Sequence, residues 1–131
     1  MGDFVGGMLK YLKKNTVPRV TIAGGFAKLL KLSQGEMDLH SSRSQVNLEK
    51  LRLEIGKLDL NKSQHTKIKK ISTASQCLPI LGQKKYELAK YVAARAQEVV
   101  LQYLKKDDVK IDIMIVDRTG HILAKTERKD E

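Results

Sequence analysis

A stretch of the chain between positions 24 and 41 has residue types suited to binding an anion: Gly24, Gly25, Lys28, Lys31, His40 and Ser41. The glycines follow an apolar run at 20–23 and precede a segment of helical spacing, which predicts a strand, a turn and a helix start. Backbone N–H groups at a helix N-terminus bind carboxylates and phosphates, and the lysines add positive charge. His40, in a polar loop after this helix, is the candidate catalytic residue. The alternative is a purely structural glycine turn and a solvated histidine.

Other catalytic and cofactor motifs are weak in this sequence. The glycines do not match the GxGxxG or GxxxxGK[ST] patterns, because Ala27 and Leu29 stand where further glycines would fall. The histidines and Cys77 share no metal-ligand spacing, so no metal site is predicted. Cys77 lies beside Leu78 in an apolar patch, which favours a buried thiol over a nucleophile. The segment 117–120 is interpreted as a structural turn.

Composition indicates a globular protein with a strong excess of positive charge. The 131 residues carry a formal charge of +10, and 41% of them are hydrophobic. A single cysteine excludes an internal disulfide and favours a reducing compartment. There is no apolar stretch long enough to cross a membrane and no signal-peptide pattern, so a cytoplasmic protein is expected. The lysine clusters lack interleaved aromatic residues, so nucleic acid is an unlikely partner and solvated helix faces explain them more simply.

Hydrophobic periodicity predicts alternating strands and helices that end in a hairpin. The predicted helices are 3–14, 26–34 with Gly35 as its C-cap, 44–58 with Ser44 as its N-cap, 66–81 interrupted near Pro79, and 84–106. Residues 59–63 are predicted to form a linker. The predicted strands are 20–23, 109–116 and 121–126, all three expected in one sheet. The apolar runs predict that 20–23 is buried and that 113–116 is buried on both faces. Gly120 is expected to take the positive φ of a hairpin turn. The small residues of the last helix predict close packing of another element on it: Ala89, Ala93, Ala94 and Ala96.

This order favours an α/β fold: a layered α/β/α domain with a small mixed sheet. The first strand and strand 109–116 are expected to be parallel, and the last strand antiparallel at an edge. Residues 1–126 are assigned to a single α/β domain and 127–131 to a charged tail. A sheet of so few strands would gain stability from a further segment or a partner chain that completes it.

Several motifs occur in one order along the chain. Residues 2–6 read G-D-F-V-G, like a G-[ND]-F-[IV]-G element. The segment 24–41 follows a pattern resembling G-H-x-G-K-L-x-K-L-A-x-G and then N-T-H-S, and the chain ends with a long helix and I-M-I-V-D-R-x-G at 113–120. In this order the sequence resembles the C-terminal half of the cobalt-precorrin-5B C1-methyltransferases, the CbiD family of anaerobic cobalamin biosynthesis.

The sequence departs from the family pattern around the glycine segment. Gly25 stands where the family usually has histidine, Ala27 where it has glycine, and Leu39 where it has threonine. After His40 the charged positions of an A-D-x-R-like pattern appear here as polar residues at 44, 45 and 47. Family members are also more than twice as long as this chain.

The resemblance implies a methyltransferase that uses S-adenosylmethionine as its cofactor and methylates C1 of a corrinoid small-molecule substrate. The carboxylates of that macrocycle would explain the lysine excess. By the same resemblance, Gly24, Gly25, Lys28, Lys31, His40 and Ser41 would line the site for donor or substrate. Two alternatives stay open: a non-catalytic anion- or nucleic-acid-binding module, and a docking domain completed by an N-terminal half.

Overall fold

Helices and three strands make up the part of the chain that the computed structural model describes, which is residues 11, 19–35, 47–105 and 110–126. In chain order they are β1 (Arg19–Gly25), α1 (Phe26–Ser33), α2 (Leu48–Ile55), α3 (Lys62–Ile68), a 3₁₀ turn (Ala74–Gln76), α4 (Cys77–Leu81), a second 3₁₀ turn (Gly82–Lys84), α5 (Lys85–Leu104), β2 (Lys110–Val116) and β3 (Ile122–Lys125). The predicted helix 3–14 and tail 127–131 lie outside the described residues, apart from Tyr11, which is helical.

The strands form one mixed sheet in the order β1-β2-β3. β1 and β2 are parallel, with Ile22 opposite Ile113 and Gly25 opposite Val116. β3 returns antiparallel to β2, with a register irregularity between Ile115 and Val116. The predicted α/β fold with a parallel pair and an antiparallel hairpin strand is therefore confirmed.

Burial in the sheet is less complete than the apolar runs predict. In β1 only Ile22 is buried, so the prediction of a buried strand is wrong for the rest of it. In β2, Ile113 and Ile115 are fully buried, but Met114 and Val116 are only half-buried, so burial on both faces is also an overestimate. One reason is that β1 pairs only with β2 within the described sheet, and an edge strand has fewer neighbours to cover it.

The long helix α5 provides the surface on which the sheet and α1 pack. Its small residues Ala89, Ala93 and Ala96 are buried as predicted and allow this close approach, whereas Ala94 is exposed, contrary to the prediction. The Gln97 side chain donates a hydrogen bond to the carbonyl of Ile111 at 2.7 Å, which ties α5 to β2. This bond helps to hold β2 in place against the long helix that precedes it in the chain.

The segment 59–81 differs most from its prediction. Residues 62 and 63 are not a linker, because Asn61 and Gln64 form a capping box that starts α3 at Lys62. That helix ends at Ile68 rather than continuing to 81, and residues 69–73 are not α-helical. Pro79 does not interrupt a helix: it lies in the first turn of α4, where its missing N–H costs no hydrogen bond.

The boundaries of the other helices shift by a few residues. Asn47 accepts a hydrogen bond from the Lys50 N–H and starts α2, while the predicted cap Ser44 lies outside the described residues. α5 ends at Leu104, because Lys105 adopts a left-handed conformation with φ of 53°. Gly35, with φ of 93°, follows α1 as predicted.

At the opposite end of the parallel pair from the glycines, Asp112 is buried. Its carboxylate lies 3.5 Å from the guanidinium of Arg19, measured from Oδ2 to Nε. A buried carboxylate is costly unless it is paired, so this ion pair favours the observed pairing of β1 with β2 over a shifted register.

The sequence predicts a turn at Gly24 and Gly25 between β1 and α1, and this prediction is wrong. Both continue β1 and pair with β2, and the helix begins directly at Phe26. A Cβ atom on Gly24 would lie 2.9 Å from Cδ2 of the fully buried Leu29, whereas one on Gly25 would meet no atom within 4 Å. Close packing thus requires glycine at 24, and position 25 opens into free space.

We expect Gly24→Ala to lower the free energy of unfolding by about 1–3 kcal/mol, because the added methyl group overpacks against Leu29. Gly25→Ala is the matched control and should change stability by less than about 0.5 kcal/mol. Urea unfolding followed by circular dichroism measures both. Equal losses in the two variants would contradict the packing assigned to Gly24.

Candidate functional site

An open cleft of about 720 Å³ lies where β1 and β2 end. Because the two strands are parallel, their carboxyl ends meet at the same edge of the sheet, which is where α/β folds generally bind ligands. The residues that line the cleft come from the junction of β1 with α1, the segment 73–79 that includes the start of α4, and the end of β2 with the turn after it: Gly25, Phe26, Thr73, Ser75, Gln76, Leu78, Pro79, Val116, Asp117, Arg118 and Thr119.

The first wall is the junction of β1 with α1. Gly25 is the N-cap of α1, and the first turn of this helix contains no acidic side chain. The first N–H groups of an α-helix have no partner within the helix and carry partial positive charge. This wall therefore offers backbone donors to an anionic or polar group in the cleft.

The second wall, 73–79, is held in place by side chains from neighbouring elements. Arg52 of α2 donates to the carbonyl of Ile71 at 2.8 Å. Gln64 of α3 donates to the carbonyl of Ile80 at 3.1 Å. Gln76 accepts hydrogen bonds from the backbone N–H groups of Ser72 and Thr73 at 2.6 and 3.1 Å. These contacts fix a wall that carries hydroxyl groups and apolar side chains together.

The third wall is the turn from Asp117 to His121, which is closed by a dense set of hydrogen bonds. Asp117 Oδ1 accepts from the Thr119 N–H at 2.9 Å, the Thr119 hydroxyl at 2.7 Å and the His121 N–H at 2.9 Å. The backbone N–H of Gly120 donates to the Asp117 carbonyl at 3.1 Å, and Gly120 has the predicted positive φ, 89°. The turn is structural, as predicted, but it also lines the cleft.

The hydroxyl of Thr119 also contacts the His121 ring. Thr119 Oγ1 lies 2.6 Å from His121 Nδ1, and which of the two atoms donates depends on the tautomer of the ring. The hydrogen bond from the Thr119 hydroxyl is the largest influence on Asp117, and it holds the pKa of that carboxyl below its ordinary value despite some desolvation.

The residues predicted for the site are only partly brought together. Gly25 lines the cleft, and Gly24 lies next to it in β1. Lys28 and Lys31 are half-buried on α1 and do not line the cleft, although the stem of Lys28 lies close to Gly24. Lys31 is in the last turn of α1, at the far end from Gly25.

His40 and Ser41 lie outside the described residues. The described residues on either side of that segment are joined by a reciprocal pair of hydrogen bonds between Gln34 and Asn47. The Asn47 N–H donates to the Gln34 side chain at 2.9 Å, and that side chain donates to the Asn47 carbonyl at 3.1 Å. Gln34 follows α1 at its carboxyl end, so this pair of flanking residues lies at the opposite end of the helix from Gly25.

Sequence reasoning missed Arg118 and Thr119 as site residues, as well as the wall at 73–79. A signal for the first two was present: parallel strands ending near 25 and 116 must place the following residues at one edge. No sequence motif marks the wall at 73–79, since its position depends on the tertiary contacts of Arg52 and Gln64.

Neither nucleophilic nor metal chemistry finds support among the described residues. Cys77 is buried as predicted, and desolvation raises the pKa of its thiol to about 12, so it stays protonated at neutral pH. The described residues contain no group of three or more His, Cys, Asp and Glu side chains that could hold a metal ion. None of the helices described is both long enough and apolar enough to cross a membrane.

The Asp117 carboxylate should stabilise the fold above pH 4 and lose this contribution as the pH falls through its native pKa, which lies below the value of about 3.9 for an unfolded aspartate. Carbon-13 NMR titration of the carboxyl group measures that pKa directly. Thr119→Val should move it upward, because the largest lowering contact is removed. Asp117→Asn should make the unfolding midpoint depend less on pH in the acid range. An unchanged pH dependence would contradict the role assigned to this carboxylate.

Comparison with known proteins gives one consistent family. A family model described as CbiD, C-terminal domain, matches residues 38–127. The chain is 41% identical over 124 residues to the cobalt-precorrin-5B C(1)-methyltransferase of Paramagnetospirillum magneticum, covering 95% of this chain and 34% of that protein. It is 42% identical over 125 residues to the protein of the same name from Brucella anthropi, again with 95% and 34% covered.

The chain thus spans about a third of the length of the curated relatives it matches. No solved structure matches it at a significant level. The family match covers the turn and walls of the cleft at 73–79 and 116–119, along with the sequence around His40. On the family match and the relatives together, this chain belongs to the CbiD family and corresponds to its C-terminal part.

Proposed function

We propose that this chain is the C-terminal region of a methyltransferase that moves a methyl group from S-adenosylmethionine to C1 of cobalt-precorrin-5B in anaerobic cobalamin biosynthesis. The observation that carries the proposal is 41–42% identity over nearly the whole chain to relatives named for this reaction. These relatives favour this function over a non-catalytic anion- or nucleic-acid-binding module. A cytoplasmic location is part of the same proposal.

The cleft at the carboxyl ends of β1 and β2 is the proposed binding site of this region. Its volume of about 720 Å³ lies within the range of about 300–1,000 Å³ of small-molecule sites. Apolar side chains of Leu78, Pro79 and Val116 suit a flat ring system, and the hydroxyls of Thr73 and Ser75 suit a ribose. The residues present therefore fit a nucleoside sulfonium such as the methyl donor.

Methyl transfer between a sulfonium and a carbon needs little acid–base assistance before the bond forms, so positioning supplies most of the catalysis. When bound, S-adenosylmethionine supplies the activated methyl group. The protein's contribution in this region would be a rigid wall and turn that orient the bound molecule. Both are fixed by hydrogen bonds within the described fold, and this fixed geometry supports a positioning role.

The remaining residues predicted from the sequence belong to the same proposal. Gly24 and Gly25 would let the ligand approach the backbone, and Lys28 and Lys31 would attract the carboxylates of the corrinoid substrate. His40 and Ser41 would complete the site from segment 36–46. An N-terminal region or another chain is the proposed partner that completes the sheet and the active site.

Binding of S-adenosylhomocysteine tests the cleft. The chain should bind this product in isothermal titration calorimetry, and Gly25→Phe should weaken binding by about tenfold or more because a ring at this open position fills the cleft. Lys90→Phe, which adds the same ring on the exposed face of α5 outside the cleft, is the control and should bind like the original chain. Equal affinity in Gly25→Phe, with the fold intact by circular dichroism, would contradict a site in this cleft.

His40→Ala and Ser41→Ala test the proposed role of segment 36–46. Each variant should weaken binding of S-adenosylhomocysteine or of a carboxylated corrinoid, measured by the same titration, since each removes a polar contact to the ligand. His65→Ala, on the exposed face of α3, is the matched control. Unchanged binding of both ligands in both variants would remove this segment from the site.

A further inference from the structure

Two of the described residues that line the cleft are charged: Asp117 and Arg118. They are neighbours in sequence, but they have different tasks. Asp117 Oδ1 accepts three hydrogen bonds from within its own turn, and its Oδ2 lies 3.7 Å from His121 Nδ1. The carboxylate is therefore committed to holding the turn together.

Arg118 has no ion-pair partner among the described residues, and its side chain is exposed at the cleft. Arg95, an arginine outside the cleft, is by contrast paired on its own helix with Glu98 at 2.6 Å. The Asp117 carboxylate bonds to Thr119 and His121 and makes no ion pair with the neighbouring guanidinium. The N–H donors of Arg118 are therefore available to a ligand in the cleft.

The backbone of Arg118 is fixed on both sides. The turn is closed by a hydrogen bond from the Asp117 N–H to the His121 carbonyl at 2.9 Å and by one from Gly120 to the Asp117 carbonyl. A guanidinium presents its N–H donors in a planar fork that matches a carboxylate with two parallel hydrogen bonds. A fixed base for this side chain reduces the entropy lost on binding.

We propose that Arg118 anchors a carboxylate of the molecule bound in the cleft through a bidentate hydrogen-bonded ion pair. The inference rests on the proposed function for the identity of that molecule. The carboxylate has two possible sources, the amino-acid end of the methyl donor and the acid side chains of the macrocycle. The recognition chemistry is the same for both.

The experiment compares ligands that differ in their carboxylates. S-adenosylhomocysteine is titrated against 5′-methylthioadenosine, which lacks the amino-acid end, and cobyrinic acid against its heptamethyl ester. The variants are Arg118→Gln, which removes the charge, and Arg118→Lys, which keeps the charge without the fork. Arg95→Gln is the matched control, because it makes the same substitution at an exposed ion pair outside the cleft.

If the donor supplies the carboxylate, Arg118→Gln should weaken the binding of S-adenosylhomocysteine by about tenfold or more and leave the binding of 5′-methylthioadenosine unchanged. If the macrocycle supplies it, the same loss should appear for cobyrinic acid and not for its ester. Arg118→Lys should lose less affinity for the carboxylated ligand than Arg118→Gln, and Arg95→Gln should lose none. Full affinity of Arg118→Gln for both carboxylated ligands would overturn the proposal.

A simple carboxylate separates this inference from the proposed function. Succinate, with neutral succinamide as its control, is followed by NMR at the Thr119 and Gly120 amides of the folded chain. Shifts with succinate that vanish in Arg118→Gln would support the anchor, even if neither larger ligand binds and the proposed function fails. The absence of such shifts in the original chain, with no sensitivity to Arg118→Gln for either larger ligand, would overturn it.

Discussion

The parallel pairing of β1 with β2 is the constraint on which the rest of the site depends. It places Gly25 opposite Val116, so that the start of α1 and the turn after β2 share one edge. A parallel pair cannot be joined by a short turn, and here the intervening helices pack back on it through α5. At the other end of the strands the ion pair of Arg19 with the buried Asp112 favours the same register. The ion pair and the cleft thus lie at opposite ends of two strands.

Much of this architecture could be predicted from the sequence, because it depends on local patterns. The apolar run at 113–116 and the turn with Gly120 predict a hairpin, and the alanines of α5 predict close packing. The parallel pair follows from helical crossovers between apolar strands. These features need only periodicity and turn chemistry, which are encoded within a few residues.

The features that sequence reasoning missed have two causes. The capping box of Asn61 and Gln64 is a local signal, three residues apart, that outweighs the polar composition indicating a linker at 59–63. The others depend on contacts between distant residues. The glycines at 24 and 25 indicate a turn by type, but pairing with β2 keeps them extended. Gly25, which the sequence indicates as a site residue, lines the cleft. Arg118 also lines it, but its motif indicates only a turn. The family could be recognised from sequence motifs. Only the fold shows which residues line the cleft and which, such as Lys28, lie near it without lining it.

The reciprocal hydrogen bonds between Gln34 and Asn47 separate stability from binding in the neighbouring segment. They join the described residues on either side of 36–46, so the end of α1 and the start of α2 are held together by groups outside that segment. The closure entropy of a loop changes slowly with its length, by about 0.6 kcal/mol for each doubling, so the fold should tolerate changes between these two residues. An effect on ligand binding of a substitution at positions 36–46 can therefore be attributed to the substituted side chain rather than to a shift of the two helices.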